Sequence, residues 1–450
     1  MTKSDSPAGR IVAIVCATAA TYLATSMGGA VSLVLPEIAS DLSLSSAQVQ
    51  WILAGYLLAR VGMLKPSGAL SDRLGARKMF LVGMTLFAVT SLSCALVSSE
   101  ALLIGVRILQ GAAAAMISPS SLVLLRTCMP GSRQARAMTI WSFAGIAGFG
   151  LAPALGGLLV HVWGWPSIFY FCGFGAALFG GLFLIGVKHE DASAVPQGLP
   201  PPLARNLLMS TALVVLAYLI GKDDVRGTVY FLVGVLLTTM ETERGVLLRA
   251  AIWEAGLSRL PAMLAGLSGF ASIAAVVLWA SYFMQGDLRL SALEFGLSCL
   301  PMAATGVISC LIASPLLSSK RADLAFVCGG AVTICAALLA FVAEARSSQA
   351  CAVAALAAIG LAYGFINGAV SSALLDTFPA SQSGDGAAMA SLSKQFGQLI
   401  GVAIVAAWRT MSVDTPGTNS WFFAFLGGAG AILLASATLS STVKRPSIAA

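Results

Sequence analysis

Long apolar runs, separated by short polar stretches, recur along the whole 450-residue chain. A helix needs about 20 mainly apolar residues to cross a bilayer. Runs of that order lie near 11–35, 48–69, 79–98, 101–126, 136–160 and 166–187. Six more lie near 262–284, 292–318, 324–343, 350–375, 388–409 and 421–442. Between the two sets the Pro-rich polar segment HEDASAVPQGLPPPLAR breaks the pattern. Two shorter runs follow, near 206–221 and 228–241, and then the charged stretch ETERGVLLRAAIWEAGLSR. The pattern predicts an all-α polytopic membrane protein with 14 transmembrane helices in a six, two and six arrangement. The count becomes 12 if the middle pair does not span. The corresponding domains are an N-terminal six-helix bundle over 1–187, a connector with two additional helices over 188–260, and a C-terminal six-helix bundle over 261–450.

Composition supports the same class. Hydrophobic residues make up 58% of the chain and charged residues 10%, whereas soluble domains carry about 25% charged residues. So few charges could not cover a water-soluble chain of this size. The net charge of +7 does not point to nucleic acid, because no basic run is interleaved with aromatics. The positive charges sit in the short loops. Loops expected on one side carry Arg73, Arg77 and Lys78, then Arg126, Arg133 and Arg136, then Lys188 and Arg205, and later Lys320 and Arg321. Loops on the other side hold mainly acids such as Glu37, Asp41 and Glu100. This bias places the first set, and both termini, in the cytoplasm of a cell with the protein in its inner (plasma) membrane. The apolar stretch behind the polar MTKSDSPAGR is too long for a signal-peptide core and reads as a retained first helix. The nine cysteines are scattered without a CxxC pair, so they read as packing residues. No metal site, no cofactor and no enzyme constellation of nucleophile and base is expected.

Three local motifs stand out. The first, GALSDRLGARK, lies between spans 2 and 3. In it Gly68 allows close helix approach, and Asp72 can cap a helix or pair with a base. Gly75 permits a tight turn, while Arg73, Arg77 and Lys78 offer charges to neighbouring helices. The second, RILQGAAAA, opens span 4. An arginine inside a span costs about 2.5–3.5 kcal/mol on insertion scales, so Arg107 either faces a polar interior or snorkels outward. Gln110, Gly111 and the alanines behind it make a small-residue packing face. The third, GIAGFGLAPALGG in span 5, spaces glycines for backbone-close packing and adds a proline kink.

These three stretches resemble the loop motif, the helix-4 motif and the antiporter motif of the major facilitator superfamily. In the loop motif, Ala76 stands where the family usually has a base. In the antiporter motif Gly148, Pro153, Gly156 and Gly157 match, and Ala152 replaces a glycine. Further stretches, among them LPEIASDL followed by WILAGYLL, WGWPSIFY and SLSKQFGQLIGVAI, look like the 14-helix drug:proton antiporter (multidrug efflux) family. The resemblance implies two six-helix bundles around a central cavity, alternating access, and export of small amphiphilic compounds by a monomer in the lipid bilayer. In the second half, SPLLSSKRADL occupies the place of the repeated loop motif but lacks its glycines.

The same resemblance sharpens one absence. Aligned on its Leu-Pro-x-Ile ending, the exporter pattern expects an aspartate nine residues before Pro36, and Met27 stands there. All 19 acids fall in loops or within about a turn of a span end, although a proton carrier is usually a carboxylate deep in the bundle. Glu37 and Asp72 are the coupling candidates that remain. Arg60 lies well inside span 2 and suits an anionic or zwitterionic substrate, unless it bonds to carbonyls as a structural residue. Lys65, a turn further on, reads as an interfacial anchor. The expected substrate site is Met27, Tyr56, Arg60, Arg107 and Gln110. Two rivals stay open: a carrier of a small organic anion with Arg60 and Arg107 as counter-ions, and a non-transporting membrane sensor on the same scaffold.

Overall fold

The computed structural model describes residues 7–128, 143–145, 147–148, 150–187, 260–319, 321–375, 377, 383–414 and 420–442. All regular structure among these residues is helical. The helices are α1 (Pro7–Asp41), α2 (Ser46–Leu74), α3 (Ala76–Leu96), α4 (Glu100–Cys128), α5 (Ala152–Trp163) and α6 (Pro166–Gly186). After the undescribed middle come α7 (Leu260–Tyr282), α8 (Ala292–Ser298), α9 (Leu300–Ser318), α10 (Ala322–Ala345), α11 (Gln349–Leu375), α12 (Ser383–Asp414) and α13 (Ser420–Thr442). Nine stretches among the described residues are long and apolar enough to cross a membrane, and Trp51–Leu64, Ala152–Trp163 and Phe422–Thr438 are shorter apolar helices. Together they cover the two expected sets of six. The expected spans at 206–221 and 228–241 lie outside the described residues, as do the connector and the boundary residues near 188 and 260.

Local chemistry sets the helix ends. Ser45 and Gln48 form a capping box at the start of α2, with the Ser45 N–H donating to Gln48 Oε1 at 2.7 Å. The Gln48 amide also donates to Glu100 Oε2 at 2.6 Å, which ties the start of α2 to the start of α4. Gly75 separates α2 from α3 with φ 86°, a left-handed conformation that suits glycine. Gly164 does the same before α6, with φ 71°, and Pro166 starts that helix where its missing N–H costs nothing.

Three boundaries differ from the sequence expectation. The first helix does not end at Pro36-Glu37 but runs through Pro36 to Asp41. Proline removes one hydrogen bond, and in an apolar environment the rest of the helix is the only partner its backbone has, so the helix persists. At 35 residues α1 is about 52 Å long, longer than a hydrocarbon core of about 30 Å. The span expected at 292–318 is interrupted at Cys299, where Pro301 sits in the first turn of α9. In span 5 the chain turns at Leu151 just before Pro153, while Leu151 N–H still donates to the Ala147 carbonyl at 2.8 Å.

The chain divides into two compact units. One comprises Met1–Asp223 with Ser291–Leu297, the other Asp224–Leu290 with Ser298–Ala450. In the first, α4 packs along α2 and α3, and α1 lies against α4, α5 and α6. In the second, α7 packs along α12, and α11 packs along α9 and α10. Each unit buries small residues and rings, while large apolar side chains such as Phe174, Ile185, Leu311 and Leu338 stay exposed. In a bilayer those exposed groups face acyl chains.

Candidate functional site

Five elements of the first unit converge on one polar cluster. Arg107 and Gln110, three residues apart on α4, point to the same side of that helix. The Arg107 Nη1 donates to Gln110 Oε1 at 2.5 Å. Its Nε donates to the Ile52 carbonyl of α2 at 3.0 Å. The guanidinium lies 4.4 Å from the centre of the Tyr56 ring on α2 and 5.8 Å from that of Phe169 on α6, so two aromatic faces share its charge. The Gln110 amide donates to Ser91 Oγ of α3 at 2.7 Å. Tyr56 itself donates its hydroxyl to the Ala24 carbonyl of α1 at 2.5 Å.

Met27 closes the cluster. Its sulfur is 3.8 Å from Arg107 Nη1 and 3.5 Å from Gln110 Nε2, a weak acceptor for two good donors. Met27, Tyr56, Arg107 and Gln110 are each 0% exposed. Arg107 therefore does not snorkel outward; it is enclosed by protein. Its Nη2 has no hydrogen-bond partner, and no carboxylate among the described residues reaches it. A buried cation is costly unless it is paired. Here the rings, one carbonyl and one amide stand in for a counter-ion.

Arg60 is held more loosely. It is half-buried on α2, one turn beyond Tyr56, and its Nη2 reaches Ser118 Oγ on α4 at 3.5 Å. Its Nε is buried without a partner. Of the five expected substrate residues, four form one buried network, and Arg60 joins its edge through the Tyr56 hydroxyl.

The small-residue face of α4 does what its composition suggests. A Cβ at Gly111 would collide with the Tyr56 carbonyl, so glycine lets α2 and α4 touch backbone to backbone beside the cluster. Ala113, Ala114 and Ala115 are fully buried behind it. The span 5 motif divides by face. Gly148 abuts α1, where a Cβ would sit 2.8 Å from the Tyr22 carbonyl, and Gly156 packs against Ala30 and Leu33. Gly157 meets the segment Ser291–Leu297 of the same unit, where a Cβ would sit 2.5 Å from the Ala292 carbonyl.

The loop motif behaves less uniformly. Gly75 makes the turn, and Arg77 donates to the Val187 carbonyl from Nε at 3.1 Å and from Nη2 at 2.8 Å, with Leu184 O at 3.4 Å. It thereby supplies donors to the open carbonyls at the end of α6. Lys78 is exposed. The close approach expected at Gly68 is not seen among the described residues, since a Cβ there meets nothing within 4 Å. The side chains of Lys65, Asp72 and Arg73 lie outside the described residues. Glu37, the other coupling candidate, stands near the C-terminal end of α1, where it accepts the Trp165 backbone N–H. Asp41 accepts the Trp165 indole N–H at 2.9 Å. Both acids fasten α1 to the start of α6, and neither approaches Arg107.

Sequence reasoning missed one residue of the second unit. Lys394, inside SLSKQFGQLIGVAI, lies in a membrane-length apolar stretch of α12. It donates to Asn367 Oδ1 at 2.7 Å and Ser371 Oγ at 2.5 Å, both on α11. A lysine in an apolar span is itself the signal that could have found it. Phe169 and Ser91 carry no such signal, because only packing brings them to Arg107.

The Major Facilitator Superfamily model matches residues 14–402. The chain belongs to that superfamily. It is therefore a multi-pass membrane transporter of small molecules, with the all-helical major facilitator fold. It is similar to the tetracenomycin C resistance and export protein of Streptomyces glaucescens, 28% identical over 406 residues, covering 87% of this chain and 74% of that relative. The multidrug efflux pump LfrA of Mycolicibacterium smegmatis is 28% identical over 396 residues, covering 85% of this chain and 78% of LfrA. A methylenomycin A resistance protein of Bacillus subtilis is 28% identical over 413 residues, covering 89% and 87%.

Proposed function

We propose that this transporter exports small amphiphilic compounds by alternating access, and that it favours neutral, zwitterionic or acidic substrates over cations. The observation that carries the charge preference is the Arg107 cluster. A fully buried guanidinium with an unpartnered Nη2 and a methionine in place of a carboxylate leaves the region positive. A cation entering it meets no anion. An acidic or polar group finds donors on Arg107 and, one turn along α2, on Arg60. Export is supported by the relatives, whose names describe efflux and resistance. The orientation with both termini cytoplasmic, the inner (plasma) membrane and a monomeric state complete the reading, together with a proton as coupling ion.

The test is transport in proteoliposomes of sulforhodamine B, which carries sulfonates, against rhodamine 6G, a cation of similar ring system. Faster movement of sulforhodamine B is expected. Faster movement of rhodamine 6G overturns the charge preference. Uptake that runs only down the dye gradient, with no response to a pH gradient, favours the organic-anion facilitator. Binding of both dyes without movement of either would mark a membrane sensor.

A further inference from the structure

The second unit holds a cation with no counter-charge among the described side chains and with acceptors on two sides. Lys394 Nζ donates to the Asn367 side-chain carbonyl and to Ser371 Oγ. The Ser371 hydroxyl proton is already committed, donated to the Asn367 backbone carbonyl at 2.9 Å. Ser371 therefore offers only lone pairs to the lysine. The Phe270 ring of α7 lies 5.8 Å from Nζ and presents its π face as a third partner. Two oxygen acceptors and one ring match the three N–H donors of an ammonium. The pocket is built around a protonated lysine.

Among the described side chains no acid completes it. The elements packed against α12 are α7, α11 and α13. The part of α7 in the span contributes no charged group near Lys394, and its Tyr282 stacks under Arg409 instead, at 4.9 Å. Tyr363 of α11 packs against Phe270 at 5.4 Å. The described residues of α13 carry no charged side chain. Beyond these, Cys310 of α9 is close enough to influence Lys394 electrostatically. Within the membrane-length segment Met389–Arg409, Lys394 is thus the one charge away from the ends, Arg409 standing at the far end.

We propose that Lys394 is the site where the coupling proton is loaded and released. This rests on the export reading above. Arginine cannot give up its proton in a protein, so Arg60 and Arg107 are fixed charges. A lysine ammonium can. In each cycle a proton from outside joins the neutral amine to form the ammonium held by Asn367, Ser371 and Phe270. It leaves toward the cytoplasm when the unit rearranges, and substrate moves the other way. The acid absent at Met27 is then not replaced in the first unit at all. Its role passes to a base in the second.

The test separates coupling from transport in proteoliposomes, with sulforhodamine B or rhodamine 6G, whichever the wild type exchanges. Dye-for-dye exchange needs no proton; accumulation driven by a pH gradient does. Lys394→Arg keeps the charge and the donors but fixes the proton, and Lys394→Met removes both. The inference expects Lys394→Arg to exchange dye within about threefold of wild type while losing at least tenfold of pH-driven accumulation. It expects Lys394→Met to lose pH-driven accumulation as well. Wild-type accumulation by either variant overturns it. Equal loss of exchange and accumulation in both variants also overturns it, making Lys394 a structural or substrate-binding residue. A wild type that accumulates dye against its gradient, with Lys394→Arg unchanged, leaves export standing and removes only the lysine. A wild type that exchanges neither dye removes the export reading and this inference together.

Discussion

Met27 Sδ lies 3.8 Å from Arg107 Nη1 on a neighbouring helix, and both residues are fully buried. A carboxylate at position 27 would therefore find a cation already in place. Met27→Asp is expected to fold and to pair with Arg107, since Gln110 stands ready as a second donor. Pairing cancels the positive character of the cluster. Affinity for rhodamine 6G relative to sulforhodamine B should rise by about tenfold, or about 1.4 kcal/mol. Equilibrium binding to the purified protein decides the matter, and an unchanged ratio would show that substrates do not sense this cluster.

Arg60 and Arg107 should respond differently to truncation. Arg60 makes a long bond to Ser118, interacts with the Tyr56 hydroxyl and is half-buried, so Arg60→Ala is expected to change the melting temperature by no more than a few degrees while abolishing transport. Arg107→Ala strips Gln110 and Ile52 of their donor and opens a void between two rings, a loss of about 2–5 kcal/mol. It should lower the melting temperature clearly or prevent purification. Thermal unfolding in detergent, followed by a reconstituted flux assay, distinguishes the two.

Glycine substitutions sort by what stands opposite. At Gly111 and at Gly401 a Cβ would collide with the carbonyls of Tyr56 and Ala271 respectively. Alanine at either site should cost about 1–3 kcal/mol by overpacking. Gly68→Ala meets open space among the described residues and gains helix propensity, so its stability should be unchanged or slightly higher. Melting temperatures of the three variants check the order.

Arg77 provides a further comparison. Its fork holds two carbonyls at the end of α6, and partial exposure weakens the charge-assisted bonds, leaving about 1 kcal/mol. Arg77→Ala should lower the melting temperature by a few degrees. Arg77→Lys should recover only part of the loss, because an ammonium cannot bridge both acceptors. Full recovery by lysine would reduce the interaction to charge alone.

Much of this was readable in advance, for identifiable reasons. Span positions follow from apolar length, and the tight turn at Gly75 and the buried face around Gly111 follow from residue size at fixed spacing. The network of Met27, Tyr56, Arg107 and Gln110 was legible because polar groups in apolar spans must find one another. Helix ends were less so: Pro36 looked like a stop, yet a helix without water around it has no better place for its carbonyls. Phe169 was invisible because an apolar residue in an apolar span announces nothing until a partner is known. Glu37 carried a charge, and charge alone could not say that its partner would be the Trp165 backbone.

The length of α1 carries a mechanical meaning. Met27 sits beside the buried cluster, and Asp41, bound to Trp165, sits at the tip. Fourteen residues separate them, an arm of about 21 Å at 1.5 Å per residue. A swing of about 5° pivoting on the methionine would carry the tip through about 2 Å by that geometry. The first helix is thus proportioned as a lever, with a single buried sulfur atom at one station and a tip tied to Trp165 at the other.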